Sequence, residues 1–427
     1  MKQEKKVLII SYYFPPLGMG GTQRVAKFVK YLPKFNWHPV VITVKDVAYY
    51  AKDPSLNFDV KGAPVYRTGS LDPQRLLYLI NKDRGTAGDR PQRSQSRIKK
   101  LINFFLIPDN KILWLPFAFF CALKVLTKEK LNCILTTSPP HSVHFVGYCL
   151  KILAGKPWVA DFRDGWTGGN FQYEPTVIHK WINKFLQGRV VKKADQIITV
   201  SDGLRERLRN GINLKEKKFC VITNGFDEED LPKDFPEVKN EKFTMTYCGT
   251  VSDIAPLKDF FAGLLQLIKN YPHLKNEVRV RIVGKWIDGD FKQIQRNRDL
   301  KALLQIKNYL PHRQALQEIM KADLLLLPIA HSAGLDFIPG KTFEYLASGK
   351  PVLVIGPEVE GVKILQKYTE LEVVEPGNPN GVQSAILKFF TKYKGHSLKR
   401  RLNTEILIYE RKNLTKQLAN ILNEISN

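Results

Sequence analysis

Two successive α/β units, each built on a doubly wound parallel sheet, are the fold this sequence predicts, and three observations predict it. Short Val/Ile/Leu-rich runs recur without polar alternation, each followed by a helical pattern, as strands buried on both faces of a parallel sheet do. That rhythm stops at a polar, charged stretch near residues 225–242, NGFDEEDLPKDFPEVKNEKF, and then restarts. The length, 427 residues with 44% hydrophobic content, exceeds one ordinary domain and can bury two cores. The predicted division is a first unit over 1–225, a linker over 226–242 and a second unit over 243–404.

In chain order, the first unit takes VLIISYYF, VVITV, CILTT, WVADF, QIITV and FCVIT as strands, and the second takes TMTYCG, VRVRIVG, DLLLLP, PVLVI and LEVV. The start, MKQEKKVLIISYYFPP, has too few apolar residues before Pro15 and Pro16 for a secretory signal and reads as the first strand. A glycine loop follows, then an amphipathic helix starting near Thr22. The longest apolar run, ILWLPFAFFCALKVL over 112–126, falls short of the ~20 residues that span a bilayer and predicts a buried or interfacial helix. In FIPGKTFEYLASGKPVLV, residues 337–354, Pro339 suits a first helical position and Gly349 a helix end before Pro351, so a helix runs from about 339 to 348. The last helical pattern covers 399–425, with Leu414, Leu418, Ile421, Leu422 and Ile425 on one stripe. Residues 82–100, KDRGTAGDRPQRSQSRIKK, hold seven basic and two acidic residues without apolar periodicity and predict a mobile basic loop.

Lys and Arg number 66 against 41 Asp and Glu, a formal charge of +25 that favours anionic partners: nucleic acid, a negatively charged membrane face or phosphorylated substrates. The cysteines, Cys121, Cys133, Cys149, Cys220 and Cys248, form no CxxC pair and read as reduced core residues of a cytosolic protein.

The stretch 337–354 carries the most chemistry. The first amides of its helix, Gly340 and Lys341 among them, have no intrahelical acceptor, and the helix dipole favours an anion there. Lys341 is unfavourable in that first turn by itself, a conflict that a bound phosphate resolves. Glu344, one turn after Gly340 on the same face, can accept two hydrogen bonds from a ribose diol, and Asp336 can accept from sugar hydroxyls. The competing reading is a pair of solvated charges on an amphipathic helix. It is weakened because DLLLLP ends just before the loop, and ligands of doubly wound sheets bind beyond the carboxyl ends of strands.

Other candidates follow the strands of the first unit. Gly18, Gly20 and Gly21 let backbone approach a ligand at a helix start, although a dinucleotide fingerprint fails at Gln23; Asp46 keeps that alternative open. His141 and His144 are three apart but lack an obvious third metal ligand. Asp161, Arg163 and Asp164 read either as functional groups at a strand end or as an internal salt-bridge cluster. Asp288 and Asp290 form a DxD in a polar segment that reads as a solvated loop.

Five segments together, FPPLGMGGTQR, ADQIITVSDGLRERL, VITNGFDEEDL, LPHRQALQEIMKADLLLLP and DFIPGKTFEYLASGKPVLV, resemble the GT-B glycosyltransferases of the large retaining family 4 over nearly the whole chain. The resemblance implies two Rossmann-like domains facing a central cleft, a hinge near Asn224 to Asp227 that closes on donor binding, and a C-terminal helix, 405–427, that packs back on the first domain. It implies that Asp336-x7-Glu344 stands for the family's E-x7-E donor element, with the first acid on the sugar and the second on the ribose. Lys258 matches a diphosphate-facing lysine, whereas Thr250 stands at the expected arginine and Arg163 where a histidine is common. Gly249 and Gly284, which close two strands of the second unit, join Gly20, Gly21, Gly340 and Lys341 in the expected donor set. No metal and no cofactor beyond the nucleotide-sugar co-substrate are implied.

The expected activity is therefore retaining transfer of a sugar from a nucleotide-diphosphate sugar to a hydroxyl, in bacterial cell-surface polysaccharide or glycolipid assembly. His141, Asp161, Arg163 and Asp164 are the expected catalytic and acceptor-side residues. The expected partners are a nucleotide-diphosphate sugar, a saccharide or lipid-linked acceptor and an anionic membrane face, with no nucleic acid; the expected location is the cytoplasm, at the inner face of the membrane. A GT-B nucleotide-sugar epimerase is the nearest alternative, followed by a nicotinamide-dependent oxidoreductase and a basic nucleic-acid-binding protein.

Overall fold

A computed structural model of the chain describes residues 4–49, 51–81, 103–167, 174–210, 218–232, 240–253, 255–286, 294, 296–401 and 403–426. It divides into two units, 1–224 together with 411–427, and 225–410. The basic segment 82–100, Asp288 and Asp290 lie outside the described residues.

Among the described residues the first unit holds seven parallel strands: β1 Lys5–Ile10, β2 Trp37–Val44, β3 Val65–Thr68, β4 Cys133–Ser138, β5 Trp158–Phe162, β6 Gln196–Thr199 and β7 Phe219–Val221. Their order is β3-β2-β1-β4-β5-β6-β7, so the winding reverses between β1 and β4, where Val7 sits opposite Cys133. Helices cover both faces, which is why these strands carry no polar alternation. One face packs Trp114, Ala118, Ala122, Val125, Val146 and Leu150 against the sheet. The other packs the helix Gly20–Tyr31, through Val25, Phe28 and Val29, together with Leu414, Leu418 and Leu422 of the helix Arg411–Ser426.

Among its described residues the second unit holds six parallel strands: β8 Phe243–Cys248, β9 Val278–Val283, β10 Leu304–Lys307, β11 Leu324–Pro328, β12 Val352–Ile355 and β13 Leu371–Val374. The order is β10-β9-β8-β11-β12-β13, with the reversal between β8 and β11. Beyond the carboxyl ends of a reversing strand pair, the flanking loops part and leave room for a ligand. The site candidates follow β1, β4 and β5 in one unit and β8, β9 and β11 in the other.

All eleven apolar runs form strands. The two strands that no run announces, β3 and β10, are edge strands with half-exposed residues, so neither needs a continuous apolar sequence. The first long helix starts at Gly20 rather than near Thr22, because Met19, at φ 79°, turns the chain two residues earlier and its carbonyl accepts from Thr22 and Gln23. Gly20 and Gly21 are thus the first helical turn, not a loop ahead of it. The apolar run over 112–126 forms a short 3-10 turn, Ile112–Trp114, and the helix Leu115–Lys128.

Candidate functional site

In the second unit the loops after β8 and β9 lie in backbone contact. The Gly249 amide donates to Val283 O at 2.9 Å, and the Val251 amide donates to Lys285 O at 2.8 Å. Gly284 has φ 141°, and a Cβ there would lie 2.0 Å from Gly249 O, so the approach of the two loops requires glycine at 284. Lys258 opens the helix Lys258–Asn270 on the surface of the same unit.

After β11 the chain passes Asp336, half-buried in the loop, and enters the helix Lys341–Ser348. The Thr342 amide donates to Pro339 O at 3.0 Å, while among the described residues the amides of Gly340 and Lys341 have no acceptor. Gly349, at φ 65°, ends the helix in the left-handed conformation expected of it. Residues 342–348 are all buried, so this helix is not an amphipathic surface helix.

Its two charges meet each other. Lys341 Nζ donates to Glu344 Oε2 at 2.8 Å. The other carboxylate oxygen, Oε1, lies 3.0 Å from His312 Nε2, and His312 Nδ1 stands 3.4 Å from Asp230 Oδ2. Arg313 reaches the second Asp230 oxygen at 3.3 Å. The result is a row of alternating charge, Lys341, Glu344, His312, Asp230, Arg313. Burial favours neutral forms, yet Lys341, Glu344 and His312 hold their charge. Burial works to raise the Glu344 carboxyl, but Lys341 and His312 together bring it down to about 2. Burial works to lower His312, but its bonds to Asp230 and Glu344 bring it up to about 9. Lys341 likewise ends above its ordinary value, because Glu344 overcomes its burial.

In the first unit the candidates part into two groups. Asp161 is wholly buried at the end of β5 and accepts from Arg24 Nη2 at 2.8 Å, Arg24 Nε at 3.1 Å and Thr137 Oγ1 at 2.8 Å. Arg24 also donates to the carbonyls of Ile222 and Thr223. The pair ties the helix Gly20–Tyr31 to β5 and to the segment after β7, and its internal salt bridge runs to Arg24, not to Arg163. His141 is stacked on Trp166 at 5.1 Å and 8°, and burial lowers it to about 3, so it is neutral. His144 is buried beside it, bonded to Thr136 at 2.8 Å, and burial likewise holds it well below its ordinary value.

Arg163 and Gly21 come together. Arg163 Nε donates to Ser138 O at 2.9 Å and Nη2 to Pro139 O at 3.0 Å, which lays the guanidinium against the first turn of the helix Gly20–Tyr31. A Cβ at Gly21 would lie 2.0 Å from Nη1, whereas one at Gly20 would meet nothing within 4 Å. Asp164 is half-buried; burial raises its carboxyl and Arg163 offsets part of that rise.

His312, Asp230 and Arg24 are missing from the sequence-based set. His312 and Glu344 lie 32 residues apart, a separation with no helical or strand periodicity behind it. The one available signal was the segment LPHRQALQEIM itself, in which a histidine follows a proline at a helix start.

Two family models match the chain: Glycosyltransferase Family 4 over residues 19–230 and Glycosyl transferases group 1 over residues 248–392. No curated protein matches it. Among solved structures, the sucrose-phosphate synthase of Thermosynechococcus elongatus is similar at a TM-score of 0.65 and 14% identity, covering 98% of each chain. HepE of Anabaena, solved in complex with UDP-glucose, is similar at 0.63 and 14%, covering 98% of this chain and 99% of that one. WaaG, a glycosyltransferase involved in lipopolysaccharide biosynthesis, is similar at 0.60 and 11%, covering 97% and 99%. With two Rossmann-like units of seven and six parallel strands, and with both matched along their length, the chain belongs to the GT-B glycosyltransferases of the family 4 type.

Proposed function

We propose that the protein transfers a sugar from a nucleotide-diphosphate sugar to a hydroxyl acceptor, with retention at the anomeric carbon and without a metal. The observation that supports this best is the start of the helix Lys341–Ser348, where two amides without acceptors and a half-buried ammonium stand together beyond the end of β11. Breaking the bond between the anomeric carbon and the diphosphate oxygen sends the electron pair to the leaving group. The nucleotide diphosphate then carries added negative charge, which Lys341, Lys258 and the amides of Gly340 and Lys341 stabilise. The acceptor oxygen bonds the anomeric carbon on the same face, and its proton passes to the departing phosphate oxygen. No separate general base is needed.

Asp336 takes the sugar hydroxyls and Glu344 the ribose diol. Each oxygen of Glu344 already accepts one hydrogen bond and retains a second lone pair, so the ribose can bind without releasing Lys341 or His312. Gly249 and Gly284, without side chains, let the donor approach the backbone. The acceptor is a saccharide or a lipid-linked saccharide, held in the first unit by the Arg163 and Asp164 region. The setting is assembly of a bacterial surface polysaccharide or glycolipid at the cytoplasmic face of the membrane, in keeping with five cysteines that form no disulfide.

A thermal-shift screen against UDP-, GDP- and ADP-sugars tests the reading. One of these classes should raise the melting temperature, and Glu344→Ala should abolish that rise. A shift that survives Glu344→Ala removes the ribose from that position, and no shift with any nucleotide sugar removes the donor.

A further inference from the structure

The helix Val177–Lys193 is inside out over its first three turns. Its inward stripe is polar: His179, Asn183 and Gln187, four residues apart, are all buried. Each has a partner. The His179 ring bonds the Phe104 carbonyl at 2.8 Å and Thr176 Oγ1 at 2.7 Å. Asn183 accepts from Trp166 Nε1 at 3.3 Å and donates to Glu174 at 3.1 Å, and Gln187 accepts from Thr167 at 3.1 Å. The outward stripe is apolar instead. Val177 is 80% exposed, Ile178 68%, Trp181 68% and Phe185 53%, and the last two rings stack at 5.9 Å. Phe105, 72% exposed, lies near the start of the same helix, since the ring of its neighbour Phe104 packs on His179 at 4.6 Å.

A helix covering a sheet in water ordinarily turns its apolar stripe inward. Here the inward polar stripe is satisfied, so the inversion is a built arrangement that leaves aromatic surface outside. The helix's own charges have one sign. The helix carries Lys180, Lys184, Arg189, Lys192 and Lys193, all exposed, and no acidic residue.

We propose that this face docks the first unit on an anionic lipid bilayer, with Ile178, Trp181 and Phe185 at headgroup depth and the lysines on lipid phosphates. Exposed Trp and Phe interleaved with lysine match the headgroup boundary, which is apolar on one side and negatively charged on the other. A second copy of the chain fits poorly, because a symmetric contact through this face would bring two acid-free cationic helices together. No helix among the described residues is long and apolar enough to cross a membrane, so the contact is peripheral. This surface is independent of the sugar-transfer reading.

The experiment is co-sedimentation of the full chain with vesicles of phosphatidylcholine, with and without phosphatidylglycerol, for the wild type, Trp181→Ser/Phe185→Ser and Lys180→Glu/Lys184→Glu. The wild type should bind the anionic vesicles, and each double variant should bind them about tenfold or more weakly, with an unchanged melting temperature. Three results overturn the proposal: no binding by the wild type, equal binding to neutral vesicles, or binding that Trp181→Ser/Phe185→Ser keeps. A dimer in solution that this aromatic double variant abolishes also overturns it, in favour of a second copy. The thermal shift with nucleotide sugar, measured without vesicles on the same variants, reports the donor reading alone.

Discussion

His312 sits between two carboxylates, and its proton ties the row Lys341, Glu344, His312, Asp230 together. Its value rises from 6.5 to about 9 on folding, so the stability it contributes is fully present below about pH 6.5 and is lost as pH rises through about 9. Glu344 acts in the opposite sense: its contribution is present above pH 4.5 and is lost as pH falls through about 2. We expect the melting temperature of the second unit to fall between pH 6.5 and 9, and His312→Gln to flatten that fall, measured by pH-dependent thermal melts. Gly284→Ala should destabilise by about 2–4 kcal/mol in urea, because its Cβ would enter the Gly249 carbonyl at a left-handed φ. Gly20→Ala, with open space around it, should leave stability unchanged or raise it by up to about 1 kcal/mol. Asp161→Asn should cost about 3–5 kcal/mol by leaving Arg24 buried without its charge partner. A stable but inactive Asp161→Asn protein would move Asp161 from brace to substrate contact. Lys341 and Glu344 were legible as a site because they are charges in an apolar stretch three residues apart. Their mutual bond and the histidine behind them were not, since both depend on how distant segments fold together.

At the scale of elements, strands buried on both faces announce themselves, because every position on them is enclosed and a polar side chain there, such as Asp161 on β5, needs a buried partner. β4, β5, β8, β11 and β12 are buried at every residue and correspond to apolar runs; β3 and β10, half-exposed at sheet edges, do not. The helix Arg411–Ser426 was legible by its stripe of leucines, but the stripe alone does not say which sheet it covers. It covers the first unit's sheet through Leu414, Leu418 and Leu422. Ending the chain after Glu410 should therefore destabilise the first unit, by about 2 kcal/mol for each of these leucines, and leave the melting of the second unit unchanged in calorimetry. The helix Val177–Lys193 shows the limit of pattern reading, because over its first three turns Trp181 and Phe185 face outward while His179, Asn183 and Gln187 face inward.

At the scale of the molecule, each unit has its own sheet and its own pair of hydrophobic layers. Calorimetry should resolve two transitions, and a nucleotide sugar that binds should raise the second unit's transition by mass action, in proportion to the logarithm of its concentration over Kd. The reversal of strand order between β1 and β4, and between β8 and β11, puts the candidate residues of both units at the carboxyl ends of their sheets. That placement follows from right-handed crossovers and needs no particular residue.

The sequence by itself determined the two-unit α/β fold, the break near residue 225 and the helix that bears Lys341 and Glu344. Each of these rests on local signals: uninterrupted apolar runs, a polar stretch, and a proline and a glycine at the two ends of a helix. The tertiary structure alone decided which charges meet. It gave Asp161 to Arg24, 137 residues away, set Arg163 against Gly21, and closed the row from Lys341 to Arg313 through a histidine that no spacing marks. Ion pairs between distant segments leave no periodicity in a sequence, because only the packed backbone brings their atoms within hydrogen-bond reach.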